Sequence, residues 1–226
     1  MRKVVTLWDS SIGKKVAMAL SGVILFGFTF AHMLGNLKAF QGREALDGYG
    51  VFLRELGYPV VPHYGVLWIV RIALLGAVGV HVIAAFQLWA QSRRARRAGY
   101  ERSEPLVFSY ASRTMRWGGV IILAFLVYHL LHMTTGTVHP DFEYGTVYDN
   151  LVLGFQSLPV AGFYLLAVGA LCFHLYHGLW SLFATLGVQN PKVDRLRRPL
   201  AAGLAVALFV GYASVPVAVL VGILTM

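Results

Sequence analysis

Four histidines, His32, His81, His129 and His174, fall one each within four long apolar segments of this chain. An ionisable side chain at hydrocarbon depth is costly, so it marks a candidate functional site. Neutral imidazole presents one ring nitrogen as a lone pair and the other as an N–H donor. It is an axial ligand of haem iron, and a b-type haem inside a membrane takes one imidazole above the metal and one below. Four such residues on four segments make two pairs, the donor set of a dihaem electron carrier. The plainer account, a buried polar residue bonded to a neighbouring helix, suits one histidine better than four spread one per segment.

The elements that must carry them are legible from composition. The 226 residues are 58% hydrophobic and 13% charged, against about 25% charged in a soluble domain. Five stretches, 16–37, 66–90, 117–138, 160–188 and 200–226, are apolar enough to cross a bilayer, which takes roughly 20 residues. The short alternating segments of a membrane β-barrel are missing. The expected fold is an all-α integral membrane protein, a single domain over 1–226, with five transmembrane helices. Four of them form the histidine-bearing bundle, and the fifth, without histidine or charge and containing Pro216, serves packing.

The net charge of +9 raises nucleic acid as a partner, but its placement argues against that. Lysine and arginine gather at Arg2, Lys3, Lys14 and Lys15, at Arg93, Arg94, Arg96, Arg97, Arg102, Arg113 and Arg116, and at Lys192, Arg195, Arg197 and Arg198. These are alternate ends of the helices, hence one side of the membrane. The other side carries Lys38, Arg43 and Arg54 against Glu44, Asp47, Glu55, Asp141, Glu143 and Asp149. The positive-inside rule puts the N-terminus in the cytoplasm and the C-terminus outside. The same charges suit anionic lipid or a docked partner. The single cysteine, Cys172, lies within the fourth span and reads as a small buried hydrophobe; one cysteine forms no internal disulfide and holds no iron–sulfur cluster. The N-terminal apolar run is too long for a cleaved signal peptide.

Depth follows from the helical rise of about 1.5 Å per residue. His32, 16 residues past Val16, lies about 24 Å from the cytoplasmic face, and His129, 12 past Trp117, about 18 Å. Counted from the outer face, His81 is 15 residues past Val66, about 22 Å, and His174 is 14 past Val160, about 21 Å. The arithmetic pairs His32 with His129 in the outer half and His81 with His174 in the inner half. His132 and His177 each follow a candidate by three residues on a nearby face. Depth does not separate His129 from His132, and it leans toward His174 over His177. A di-iron centre built from the His-x-x-His pairs is disfavoured by histidines at two depths and by the lack of carboxylates in the spans. Arg71, five residues into the second span, is placed either to meet a haem propionate or to snorkel to headgroups. Ser21, Arg113 and Arg116 lie near the cytoplasmic ends, where an inner propionate would reach, but packing or topology is the favoured account of each. Between spans, 45–56 reads as a short interfacial helix, the acidic and aromatic outer loop 139–159 as irregular, and Pro191 and Pro199 as the stop and start flanking the last loop.

Together these residues resemble a known family. The first span opens on Leu20-Ser21-Gly22 and runs through His32-Met33-Leu34-Gly35-Asn36. The third holds Tyr128-His129, and the fourth reads Phe173-His174-Leu175-Tyr176-His177-Gly178-Leu179-Trp180-Ser181. This pattern resembles the single-polypeptide dihaem cytochrome b anchor of succinate dehydrogenases and fumarate reductases, the five-helix, two-haem type of succinate:quinone oxidoreductase. The fourth-span motif carries most of the likeness.

The resemblance implies two b haems, one on His32 and His129 and one on His81 and His174, with His132 and His177 not ligating. It implies a bacterial inner (plasma) membrane, and a flavoprotein with FAD and an iron–sulfur subunit on the cytoplasmic face, so neither the flavin nor the clusters belong to this chain. It implies electron delivery to quinone, here menaquinone, near the outer face. Quinone reduction consumes protons, and Glu55 is the candidate acid–base group, with His63 and Tyr58 behind it. Some relatives have a glutamate two residues before the fourth-span ligand. Cys172 stands there in this chain, which leaves that proton route in doubt and tilts the reading toward succinate oxidation. A fumarate reductase running in the other direction, a hydrogenase or formate dehydrogenase cytochrome b, and a transporter with buried relay histidines are the alternatives. The last normally shows repeats and broken helices, absent from this pattern. The physiological direction, the quinone type, the quinone-site residues, the haem potentials and the oligomeric state stay open.

Overall fold

The computed structural model describes Trp8 and residues 10–95, 110–188 and 190–226. Of the basic residues singled out above, Arg2, Lys3, Arg96, Arg97 and Arg102 lie outside the described residues, as does the side chain of Arg113. In lipid, backbone N–H and C=O groups must be satisfied within the segment, so long apolar runs fold as helices. Among the described residues seven α-helices follow in order: α1 Ser11–Asn36, α2 Arg43–Glu55, α3 Gly65–Arg94, α4 Tyr110–Met133, α5 Val147–Gln156, α6 Leu158–Thr185 and α7 Pro191–Leu220. A 3-10 turn, Leu37–Gln41, extends α1. No strand occurs among the described residues. α1, α3, α4, α6 and α7 are long and apolar enough to span a membrane.

Local chemistry sets the ends. Ser10 caps α1, its Oγ accepting from the Gly13 amide at 2.8 Å. Asn190 caps α7 in the same way, accepting from Lys192 N at 2.9 Å, and Pro191 takes the first turn where no N–H is needed. The last span therefore begins at Pro191 rather than near 200, and Pro199 lies inside it. The third span ends at Met133 rather than 138. There the Thr134 and Thr135 amides both reach back to Leu130 O, at 3.1 and 3.0 Å, and the chain turns at Gly136 with φ +71°.

α2 occupies the expected interfacial position, two residues earlier than expected at its start. α5 is new: the second outer loop was expected to be irregular, yet Val147–Gln156 is helical, with Tyr148, Leu151, Val152 and Phe155 buried. α2 and α5 lie together over one end of the bundle, joined by the Arg43–Asp149 ion pair and by Asp47 Oδ1, which accepts from Tyr148 N at 2.9 Å. This end is called the capped face below, and the opposite end the basic face.

The most extensive helix contacts are α6 with α7, α1 with α3 and α4 with α6. α7 is the packing helix: 39% of its apolar window is buried, against 6% for α3 and for α4. Its Leu208 is fully buried among Met33, Val168, Cys172 and Ala205, so Cys172 is a core side chain. Between helices in lipid the driving term is close packing rather than exclusion of water. Gly211 supplies it here, because a Cβ there would lie 2.3 Å from Met33 Sδ. Tyr212 adds a tie, donating from Oη to Thr29 O at 2.6 Å.

Candidate functional site

The histidines meet in two pairs. The His32 and His129 rings have centroids 5.9 Å apart with planes at 74°. His81 and His174 stand 6.0 Å apart at 62°. No hydrogen bond joins the members of either pair. A metal bound between two imidazoles at about 2 Å per bond, each nitrogen about 1 Å in front of its ring centre, puts the centres about 6 Å apart. The helices involved are not otherwise in extensive contact. α1 packs on α3 and α4 on α6, whereas α1 with α4 and α3 with α6 are missing from the well-packed pairs. Each histidine pair therefore joins two helices that are not well packed on one another, although α1 and α6 do touch.

Depths follow from the neighbours. Ser21 Oγ lies 3.4 Å from His81 Nδ1, and His32 is 11 residues further along α1, about 16 Å. On α4, a Cβ at Gly119 would lie 4.0 Å from His174 Cε1, and His129 is 10 residues on, about 15 Å. The pairs are stacked along the membrane normal, His32/His129 toward the capped face and His81/His174 toward the basic face.

At the basic-face pair, His81 Nδ1 lies 3.1 Å from Met18 O. A carbonyl only accepts, so Nδ1 carries the proton and Nε2 keeps its lone pair, the tautomer a metal requires. Ser21, buried at 3% exposure, donates its own hydroxyl to Ala17 O at 2.8 Å. Gly22 keeps the wall beside this ring thin, since a Cβ there would lie 3.4 Å from His81 Cε1. His174 Nδ1 is buried without a protein partner.

At the capped-face pair, His32 stacks on Phe28 at 5.4 Å and faces Tyr212 at 6.3 Å. His129 stacks on Phe125 at 5.8 Å, with its Nδ1 3.2 Å from Tyr164 Oη.

The structure treats the two extra histidines differently. His132 is fully buried, stacked on Tyr128 at 5.4 Å, 4.7 Å from the His139 ring and 2.9 Å through Nδ1 from Tyr164 Oη. His177 packs against Trp180 at 5.0 Å. Neither is brought to His32 or His81. Arg71 lies with its guanidinium 5.1 Å over the Trp68 ring, and among the described residues it enters no salt bridge. Glu55 is the exposed last residue of α2. Beside it stands Tyr64, whose hydroxyl is pushed up from its ordinary value of 10.0 by its hydrogen bond to Tyr144, with the Glu55 charge acting in the same sense. His63 stacks on Tyr58 at 4.3 Å on the same capped face. Sequence reasoning missed Tyr164 altogether; a tyrosine ten residues before His174 on one helix was the only signal.

Residues 90–213 match the family described as succinate dehydrogenase/fumarate reductase transmembrane subunit, more than half of the chain. The chain belongs to that family. Its members are membrane subunits of complexes with flavoprotein and iron–sulfur subunits. No curated protein and no solved structure matches the chain.

The residues present fit a b-type haem at each pair: the ring spacing, the His81 tautomer and the lack of close packing between the two helices of each pair agree with one another. Among the described residues no group of three or more His, Cys, Asp or Glu is arranged to hold a metal ion by itself. Two imidazoles per site suit an iron whose remaining ligands come from a macrocycle.

Proposed function

We propose that this transmembrane subunit of a succinate dehydrogenase/fumarate reductase-type complex binds two b haems, His32 with His129 and His81 with His174. The observation that carries the proposal is the pair of ring separations, 5.9 and 6.0 Å, each between two helices not well packed on one another. When bound, the haems supply one-electron transfer between the iron–sulfur subunit and quinone. The chain contributes position and electrostatics. Met18 O holds His81 in the ligating tautomer, the α1/α3 and α4/α6 packings hold the opposed imidazoles apart, and Gly22 and Gly119 leave room beside the rings.

In this reading the basic face is cytoplasmic and docks the iron–sulfur subunit, itself bound to the FAD-bearing flavoprotein. The N-terminus is then cytoplasmic and the C-terminus outside, in a bacterial plasma membrane. Menaquinone is reduced near the capped face, with Glu55 as proton donor beside Tyr64 and Tyr144, and Arg71 sits at a depth suited to a propionate. Succinate oxidation is the favoured direction, because Cys172 is a packed core side chain rather than a proton-carrying acid.

The test is to add succinate to the purified complex under anaerobic conditions and record its visible spectrum. The expected result is reduction of a b-type chromophore in this subunit, discharged again by a menaquinone analogue. A complex that oxidises succinate while this subunit shows no haem band overturns the proposal.

A further inference from the structure

We propose that Tyr164 is a positioning residue for His129, and that the buried His132 exists to aim the Tyr164 hydroxyl; the inference rests on the reading that His129 binds a haem. Tyr164 Oη lies 3.2 Å from His129 Nδ1 and 2.9 Å from His132 Nδ1. One hydroxyl proton serves only one of two imidazole nitrogens, so the other nitrogen must donate to the oxygen. Two orders are open. If Tyr164 donates to His129, then His129 carries its proton on Nε2 and has no lone pair there for iron. If His129 Nδ1–H donates to Tyr164 and Tyr164 O–H donates to His132, then His129 Nε2 is free to ligate. Iron binding selects the second order, and His132 is the acceptor that makes it available.

The surroundings make this a built arrangement. Tyr164 is wedged edge-on between Phe125 and Phe155, with ring centroids 4.9 Å from each. His132 is fully buried, and the ligating order puts its remaining proton on Nε2, which has no protein acceptor, a cost that iron binding at His129 must offset. A Cβ at Gly154 would lie 2.9 Å from His132 Cε1 and 3.0 Å from His139 Nε2, so α5 holds the ring in place by presenting a glycine. His139 is fixed in turn by donating from Nε2 to Asn150 O at 2.7 Å. The chain thus runs from the capping helix through two histidines and a tyrosine to one face of the capped-face pair. The basic-face pair uses a backbone carbonyl, Met18 O, for the same duty.

An acceptor on Nδ1–H makes the ligand nitrogen a better donor and favours the oxidised metal, so removing it raises the potential of that site alone. The experiment is a redox titration of the whole complex, reading each haem's midpoint potential, with Tyr164→Phe, His132→Leu and His132→Asn. Expected are a rise of one midpoint and an unmoved second in Tyr164→Phe, and a smaller rise of the same midpoint in His132→Leu. His132→Asn, which restores an acceptor at the Nδ1 position, should return it to the wild-type value. Unmoved midpoints in Tyr164→Phe overturn the inference, as does a shift in His132→Asn as large as in His132→Leu, which would mark packing rather than hydrogen bonding. If Tyr164→Phe fails to retain the haem, the two His132 variants decide alone. A wild-type complex without haem overturns the function proposed above and takes this inference with it.

Discussion

One carboxylate, that of Asp47, caps the start of the helix that closes the capped face, and the cost of removing it follows from the structure. α5 begins at Val147, and Thr146 before it makes no side-chain cap bond. The amide of Tyr148, the second residue of the helix, is instead satisfied by Asp47 Oδ1 from α2 at 2.9 Å. Asp47 acts as an N-cap supplied by another helix. Asp47→Ala removes the acceptor, about 1 kcal/mol, and a negative charge at the positive end of the helix, about 0.5 kcal/mol. Asp47→Asn keeps an acceptor oxygen and loses only the charge. The total of about 1.5 kcal/mol corresponds to a roughly tenfold change in a local opening equilibrium, and 0.5 kcal/mol to about twofold. Hydrogen exchange of the assembled complex, followed in peptides covering 146–156, reads this directly. Exchange should quicken about tenfold in Asp47→Ala and about twofold in Asp47→Asn, with the middle of α6 unaffected. Unchanged exchange in Asp47→Ala would refute the capping argument. Equal acceleration in the two variants would refute its division into acceptor and charge. The loosening bears on function because α5 presents Gly154 to His132 and packs Phe155 on Tyr164.

The site makes further claims. His32→Ala should lose the capped-face haem and retain the other, and His81→Ala the reverse, read as haem-to-protein ratio; loss of both haems in either variant would contradict two independent sites. His129→Ala should lose a haem while His132→Ala keeps both, and the opposite pattern would exchange their roles. Glu55→Gln should slow quinone turnover by about 100-fold with haem content unchanged, and an unaltered rate would remove Glu55 from the proton path.

The five spans were legible because apolar length is a coarse signal that needs no partner. Helical rise grouped His32 with the third-span histidines His129 and His132 in the outer half and His81 with His174 in the inner half; the ring contacts join His32 to His129 and His81 to His174. The choice between His129 and His132 was not legible from depth, since three residues shift a side chain by only about 4.5 Å along the axis. It is their rotation about α4 that differs, turning His129 to His32 and His132 to Tyr164 and His139. α5 was hidden because its apolar run, Leu151 to Phe155, is short, contains Gly154 and lies between prolines. Its helix is fixed by burial against neighbours and by Asp47, which is 101 residues away from Tyr148 in sequence. Pro199 misled for a related reason. Asn190 and Pro191 form a stronger start than Pro199, and the helix carries the later proline within it.

The central claim is tested most directly by a haem-to-polypeptide ratio on the assembled complex, taken with low-temperature electron paramagnetic resonance of the oxidised state. Two b haems per copy of this chain, both low-spin with two nitrogen axial ligands, are the predicted result. A colourless preparation, a single haem, or a high-spin signal from an iron with one protein ligand would contradict it.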